Sequence, residues 1–172
     1  MIEAKICCEN DNGRTDVESL FLTVVLNYYD GPTGGIMQCR SCSAVYKFVM
    51  VDWDEHQSVR IHALAPLPSK SFEQIVDLLS KYESPKWPMW FPVLQDSSSE
   101  VLDSLERQLQ KVLGLAEPAT LVVGLSQWGD RILATRSLTA SDLRNVQDWF
   151  SLEDPKSGRD WFSFLGLVRS VS

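Results

Sequence analysis

The chain is poor in positive charge and in histidine, and each shortage excludes a class of function. Its 16 Lys and Arg residues stand against 23 Asp and Glu residues, which gives a formal net charge of −7. Non-specific binding to a phosphate backbone needs clustered positive charge, so we expect no nucleic-acid partner. With two histidines in 172 residues, histidine-based catalysis has little material.

Long apolar segments are also missing. The longest apolar run near the start, residues 20–26, has seven residues, whereas a membrane helix needs about 20. The first residues show no basic segment followed by an apolar one, the pattern of a secretory signal. We therefore expect a cytoplasmic protein without a membrane partner. In that compartment the four cysteines should be reduced thiols or metal ligands rather than disulfides.

The composition, 44% hydrophobic and 23% charged, is typical of a soluble globular chain. Its length predicts a single domain over residues 1–172. Alternating apolar positions predict an N-terminal antiparallel β-meander. Its four strands are predicted at residues 21–29, 36–38, 45–51 and 59–64. Turn residues at 30–35 and 52–58 separate them, and Pro66 is expected to end the last strand.

After the meander, the spacing of apolar residues changes to that of helices. Helices are predicted over residues 71–82, capped by Ser71, and from a capping box at Ser97 and Glu100 to Leu113. A second β-hairpin follows at 121–125 and 132–135, and then a C-terminal helix through residues 143–150. Together these elements predict an α+β fold.

The most specific local motif is Cys39-Arg40-Ser41-Cys42, which lies between two strand-like segments. Two residues between thiolates let one turn present both sulfurs to a tetrahedral ion. Residues 36–50 resemble a zinc-ribbon knuckle, and this resemblance implies a structural zinc ion. It covers this segment alone. Arg40 stands where such knuckles often have proline, and Ser43 stands where a glycine adopts the left-handed conformation.

A tetrahedral site needs two more ligands, and the sequence offers two sources. Cys7 and Cys8 are adjacent, so both can reach one ion only if the backbone bends. His56 and His62 give the spacing C-x2-C-x13-H-x5-H, but residues six apart do not share one helix face. A mixed site with one of these cysteines and a histidine is a third arrangement.

Two interpretations compete with bound zinc. Reduced cysteines that simply pack are the commoner outcome for free thiols. A redox dithiol is the other, with Arg40 and Lys47 stabilising a thiolate, although such sites usually open a helix and a strand follows here.

The proline-framed loop 84–92 carries Trp87, Trp90 and Phe91. Prolines lower the entropy cost of ordering and aromatic side chains supply anchor area, so the loop predicts a contact surface for a protein partner. The alternative is that these rings cover a helix, because six tryptophans in one small domain mostly have to pack.

Three functions follow as expectations. The first is a non-catalytic cytosolic protein-binding or adaptor module, such as an immunity protein, with a structural zinc or cysteine cluster. The second is a thiol- or metal-dependent enzyme centred on Cys39 and Cys42, with Arg40, Asp52, His56 or His62 nearby. The third is a small-ligand sensor whose pocket contains the aromatic loop residues Trp87, Trp90 and Phe91. The first is preferred, because no hydrolase, nucleotide-binding or zinc-protease motif is present.

Overall fold

The computed structural model describes residues 6–8, 16–28, 32–54, 59–81, 99–126, 128–139 and 165–167. Its described residues form one six-stranded antiparallel sheet, in which the strands are neighbours in chain order. The strands are β1 (Phe21–Tyr28), β2 (Pro32–Cys39), β3 (Val45–Asp54), β4 (Val59–Leu67), β5 (Leu121–Ser126) and β6 (Ile132–Ser137). The helices are α1 (Val17–Leu20), α2 (Ser71–Ser80) and α3 (Ser99–Leu113).

The predicted α+β class is therefore confirmed, with a meander, two central helices and a second hairpin. The hairpin β5–β6 extends the same sheet, because β5 pairs with β4 from Leu64↔Leu121 to Val59↔Ser126. The short helix α1 was not predicted. The predicted C-terminal helix, residues 143–150, lies outside the described residues, as does Ser97 of the predicted capping box.

One side of the sheet, which we call the helix face, packs against α2 and α3. Every third or fourth residue of each helix is apolar, so one stripe can be buried. The cluster between helices and sheet contains Val24, Leu26, Ile36, Val45, Leu67, Phe72, Ile75, Leu79, Leu105 and Leu109. Among the described residues, no helix combines the length and apolarity needed to cross a bilayer.

The opposite side, the cysteine face, carries the second apolar cluster. Its buried members are Val17, Phe21, Val25, Met37, Cys39, Phe48, Leu64, Leu121, Val123 and Leu125, and Cys7 and Cys8 pack against them. Strand β4 is central and buried on both faces; Pro66 is its one half-buried residue. The alternation predicted for β4 is therefore present, but neither of its faces is left to solvent.

The predicted turn at residues 30–35 is wrong in part, because Pro32–Gly35 belong to β2. Gly35 pairs with Phe48 across the β2–β3 ladder. A Cβ atom at Gly35 would lie 2.8 Å from the Phe48 ring and would collide with the Val24 carbonyl oxygen. The glycine is thus required by a close approach within the sheet and not by a turn.

The predicted turn at 52–58 also starts too early. The β3–β4 register shifts between Met50 and Asp52, which marks a bulge at Val51, and pairing then continues to Asp54↔Val59. Asp52 and Asp54 are therefore strand residues, while residues 55–58 lie outside the described part of the chain. A bulge lets the polar residues join the strand after its apolar pattern has ended.

Pro66 does not end β4, contrary to the prediction. It pairs with Tyr46 on β3, and its carbonyl oxygen accepts a 2.9 Å hydrogen bond from the Glu117 N–H on the other side. The N and O of one strand residue point the same way, so the proline nitrogen faces the connection before β5 and not the β3 ladder.

The start of α2 differs by one residue from the prediction. Ser71 is the first residue of the helix, and the N-cap is Lys70, whose side chain makes no capping hydrogen bond. The Ser71 N–H donates instead to the Pro68 carbonyl oxygen at 2.9 Å.

His62, at the centre of β4, is fully buried. Its Nε2 lies 3.0 Å from the Pro32 carbonyl oxygen, and the Phe48 ring packs edge-on at 5.6 Å between centroids. Burial is the main cause that lowers the pKa of His62 to about 4. The charge of Arg60 acts in the same direction, and the hydrogen bond to the Pro32 carbonyl oxygen opposes the shift. The neutral imidazole is therefore the form that the fold accepts.

This depressed pKa predicts loss of stability in mild acid. In the unfolded chain the imidazole takes up its proton near pH 6.5. The contribution of neutral His62 to the unfolding free energy is therefore complete above that pH and is lost as the pH falls toward 4. Between pH 7 and about pH 5, His62 alone should cost about 2 kcal/mol of unfolding free energy. In urea denaturation, the unfolding free energy of the wild type should fall by this amount more than that of His62→Gln over the same pH range. An NMR titration of the imidazole ring checks the pKa directly. Equal slopes would contradict the account.

Candidate metal centre

The turn that carries Cys39 and Cys42 is held by its own backbone. The Cys39 N–H donates to the Ala44 carbonyl oxygen at 2.8 Å, and the Ser43 N–H donates to the Cys39 carbonyl oxygen at 3.0 Å. Ser43 has a φ of 64°, the left-handed conformation that glycine takes in the knuckles this segment resembles. The local backbone is therefore that of a tight thiolate-bearing turn, with serine in the strained position.

The other two cysteines arrive on a bent segment. The backbone bends at each of residues 6–8, which meets the condition that adjacent cysteines place on a shared site. The Tyr46 hydroxyl on β3 donates a 2.9 Å hydrogen bond to the Ile6 carbonyl oxygen. This bond fixes the segment beside the β2–β3 turn and directs Cys7 and Cys8 toward it.

The sulfur atoms of all four cysteines lie close together. The Sγ atoms of Cys7, Cys8, Cys39 and Cys42 lie within 4.8 Å of one another. Two of the separations are 2.7 Å, between Cys7 and Cys42, and 3.6 Å, between Cys8 and Cys39. A tetrahedral zinc site with Zn–S bonds of about 2.3 Å has sulfur atoms about 3.8 Å apart. An ion therefore fits after the closer pair opens by about 1 Å.

The surroundings of Cys7 favour its protonated thiol. Burial raises the pKa of the Cys7 thiol far above its usual range, and hydrogen bonding to Cys42 and Cys39 raises it further. Burial raises the pKa of Tyr46 to about 12, and the neighbouring Cys7 adds to the shift. A neutral thiol is a poor nucleophile, whereas metal binding releases the protons and converts the sulfurs to thiolate ligands.

The described residues bring the four cysteines together without a histidine. They contain one group of three or more candidate metal ligands, and it is this set of four cysteines. His62 is buried and bonded to the Pro32 carbonyl oxygen, and it does not join the set. His56, the other residue of the C-x2-C-x13-H-x5-H pattern, lies outside the described residues.

The acidic residues at the end of β3 form no group of candidate metal ligands in the part of the chain that is described. The Asp52 carboxylate accepts a 2.8 Å hydrogen bond from the N–H of Trp53. Asp52 and Asp54 do not appear in any cluster of three candidate ligands among the described residues. The aromatic contact residues Trp87, Trp90 and Phe91 lie outside the described part of the chain, so that surface stays a prediction.

The sequence analysis did not predict that Tyr46 and Arg40 help to position the centre. Tyr46 was assigned only to a strand, and Arg40 was considered only as a thiolate partner. Arg40 instead binds α1, because its N–H donates to the Leu20 carbonyl oxygen at 2.9 Å and its Nε donates to the Glu18 carbonyl oxygen at 2.8 Å. No local sequence signal identifies these contacts, since the partners lie on other elements.

Comparison with known proteins leaves the centre as the main source of functional information. The chain has no significant match among protein-family models, among curated proteins or among solved structures. Its function therefore has to be inferred from the chemistry of its own side chains.

The Tyr46 hydrogen bond predicts a measurable effect on metal binding. Replacement by phenylalanine keeps the ring but frees the Ile6 carbonyl oxygen, so the segment with Cys7 and Cys8 becomes less well positioned. Loss of such supporting bonds typically costs about 10- to 100-fold in metal affinity. We expect this loss for Tyr46→Phe in competition titrations of Zn²⁺ or Co²⁺, with the stoichiometry unchanged. Ser41→Ala, in the same turn, is the control, and unchanged affinity in Tyr46→Phe would refute the role of the hydroxyl.

Proposed function

We propose that the cysteine centre binds one structural zinc ion, which fastens residues 6–8 to the β2–β3 turn of a non-catalytic protein-binding module. The observation that carries this proposal is the convergence of four Sγ atoms from two distant segments within 4.8 Å. Cys7 and Cys42 are 35 positions apart, and Cys8 and Cys39 are 31 apart. Local packing alone gives no reason for four thiols to meet in this way.

The donor set supports zinc over harder cations. Thiolates are soft ligands that favour Zn²⁺, whereas Mg²⁺ and Ca²⁺ take oxygen ligands. A structural role is supported by the count of donors, because four sulfurs complete a tetrahedron and leave no position for water or substrate. A catalytic zinc site keeps such a position open.

The second candidate, a thiol enzyme centred on Cys39 and Cys42, gains no support from Cys7, which lies 2.7 Å from Cys42. Nucleophilic and redox cysteines need a lowered pKa so that thiolate is present at neutral pH. Burial raises the pKa of Cys7 instead.

A protein partner is supported by charge and by composition. The net charge of −7 favours a partner with a basic face and speeds their encounter. The contact residues we propose are Trp87, Trp90 and Phe91, because aromatic side chains between prolines provide large anchors at a low entropy cost.

The zinc proposal is tested by metal analysis together with stability. Purified chain should hold about one zinc per molecule, and chelation should lower its unfolding free energy by about 4 kcal/mol when free zinc had been 1,000-fold above the dissociation constant. Cys42→Ser should lose most of this gain. Ser43→Gly is the matched control, because it relieves the left-handed strain in the same turn and should retain zinc. A zinc-free protein whose stability is unchanged by chelator and by Cys42→Ser would overturn the proposal.

The binding surface is tested by quantitative capture on the immobilised chain. Trp87→Ala and Trp90→Ala should each weaken retention of a basic protein by about 30-fold, the effect of a hot-spot residue, and added salt should weaken it too. Trp128→Ala, which removes a different tryptophan that is 61% exposed, is the control and should retain the partner. If the first two variants unfold, or bind as the wild type does, the aromatic loop is not the contact surface.

A further inference from the structure

A cavity of about 300 Å³ opens on the cysteine face between α1, β1 and the β5–β6 turn. This volume is at the lower end of the range of small-molecule sites, about 300–1,000 Å³. Packed interiors rarely leave so much space. Its apolar walls include Val17, Phe21, Val25, Met37, Phe48 and Leu125.

Arg40 lies at this cavity with its backbone and side chain both fixed. Its N–H donates to the Leu20 carbonyl oxygen, and its Nε donates to the Glu18 carbonyl oxygen at 2.8 Å. In the described part of the chain this Nε contact is the one hydrogen bond of its side chain, so the two Nη groups keep their donors. A guanidinium held in this way presents a fork that matches a carboxylate.

A second polar group of the cavity lacks a partner. Thr23 lines the cavity and follows the strand alternation that puts Phe21 and Val25 on the cysteine face. Its hydroxyl oxygen is buried, and it has no hydrogen-bond partner among the described residues. A buried hydroxyl without a partner is costly, but this oxygen has no exposed surface and does not reach into the cavity. The polar contact to a ligand therefore falls to Arg40.

Two acidic residues at the cavity set the competing possibility, a cationic ligand. Asp130 lines the cavity, but its carboxylate accepts a hydrogen bond from the Ser126 hydroxyl within the β5–β6 turn. Glu18 also lines it, and its carbonyl oxygen is the group that holds Arg40. Among the described lining residues, the charged donors without a partner are the two Nη groups of Arg40, which favours an anionic head group.

We propose that this cavity binds a small amphipathic monocarboxylate, whose apolar tail lies against Phe21, Phe48 and Leu125 and whose carboxylate pairs with Arg40. The site goes beyond the proposed function, because it requires no protein partner.

The proposal is tested by calorimetric titration of the intact chain with four probes: hexanoate, octanoate, octan-1-ol and octylamine. Each buried methylene should strengthen binding about three- to fourfold, so octanoate should bind about tenfold more tightly than hexanoate. The alcohol and the amine should bind at least about tenfold more weakly than octanoate, since a charge-assisted pair is lost. Arg40→Gln should remove the preference for the carboxylate.

Three outcomes would overturn the proposal: no saturable binding, equal binding of octanoate and octan-1-ol, or tighter binding of octylamine. Val17→Phe provides a second variant, which fills the cavity while Arg40 is intact and should block all tail binding. Leu115→Ala, which shortens an exposed apolar side chain that does not line the cavity, is the control and should bind octanoate as the wild type does. Zinc content is measured on the same samples, so that failure of the zinc proposal can be distinguished from failure of the carboxylate proposal.

Discussion

The contact between two pairs of sulfur atoms is the constraint on which the cysteine face depends. Cys7 meets Cys42 and Cys8 meets Cys39, which ties the segment at residues 6–8 to the turn after β2. Burial and the contacts with Cys42 and Cys39 raise the pKa of the Cys7 thiol, so this cysteine keeps its proton at neutral pH. A tetrahedral ion would replace these weak S–H contacts by four metal–sulfur bonds, and the donor set leaves no free position for chemistry.

The same short turn has two roles on this face. Its cysteines point to the metal centre, while Arg40, between them in the sequence, is bonded to α1 and lies at the cavity. The position of the Arg40 guanidinium therefore depends on the β2–β3 turn, which also carries Cys39 and Cys42.

Local patterns of sequence were sufficient for most elements. The strands β1 to β6 alternate apolar and polar residues or read as continuous apolar runs, and α2 and α3 show apolar stripes, so all of these elements were predicted. The prediction for β2 covered residues 36–38 of the observed Pro32–Cys39. The errors have non-local causes. Gly35 resembles a turn residue, but it is a strand residue beneath Phe48, and Pro66 is tolerated because its nitrogen faces a connection outside the β3 ladder. Cys39 and Cys42 were predicted as ligands from their spacing, and Cys7 and Cys8 were one of several sources left open for the other two ligands. The bend that brings Cys7 and Cys8 to the turn, like the walls of the cavity, depends on contacts between distant elements.

The most direct test of the central claim is X-ray absorption spectroscopy at the zinc edge of the purified chain. We predict a first shell of four sulfur atoms at about 2.3 Å, with no nitrogen or oxygen ligand. A shell that contains nitrogen or oxygen atoms, or a protein that takes up no zinc when zinc is supplied, would contradict the assignment of the four cysteines as a structural metal site.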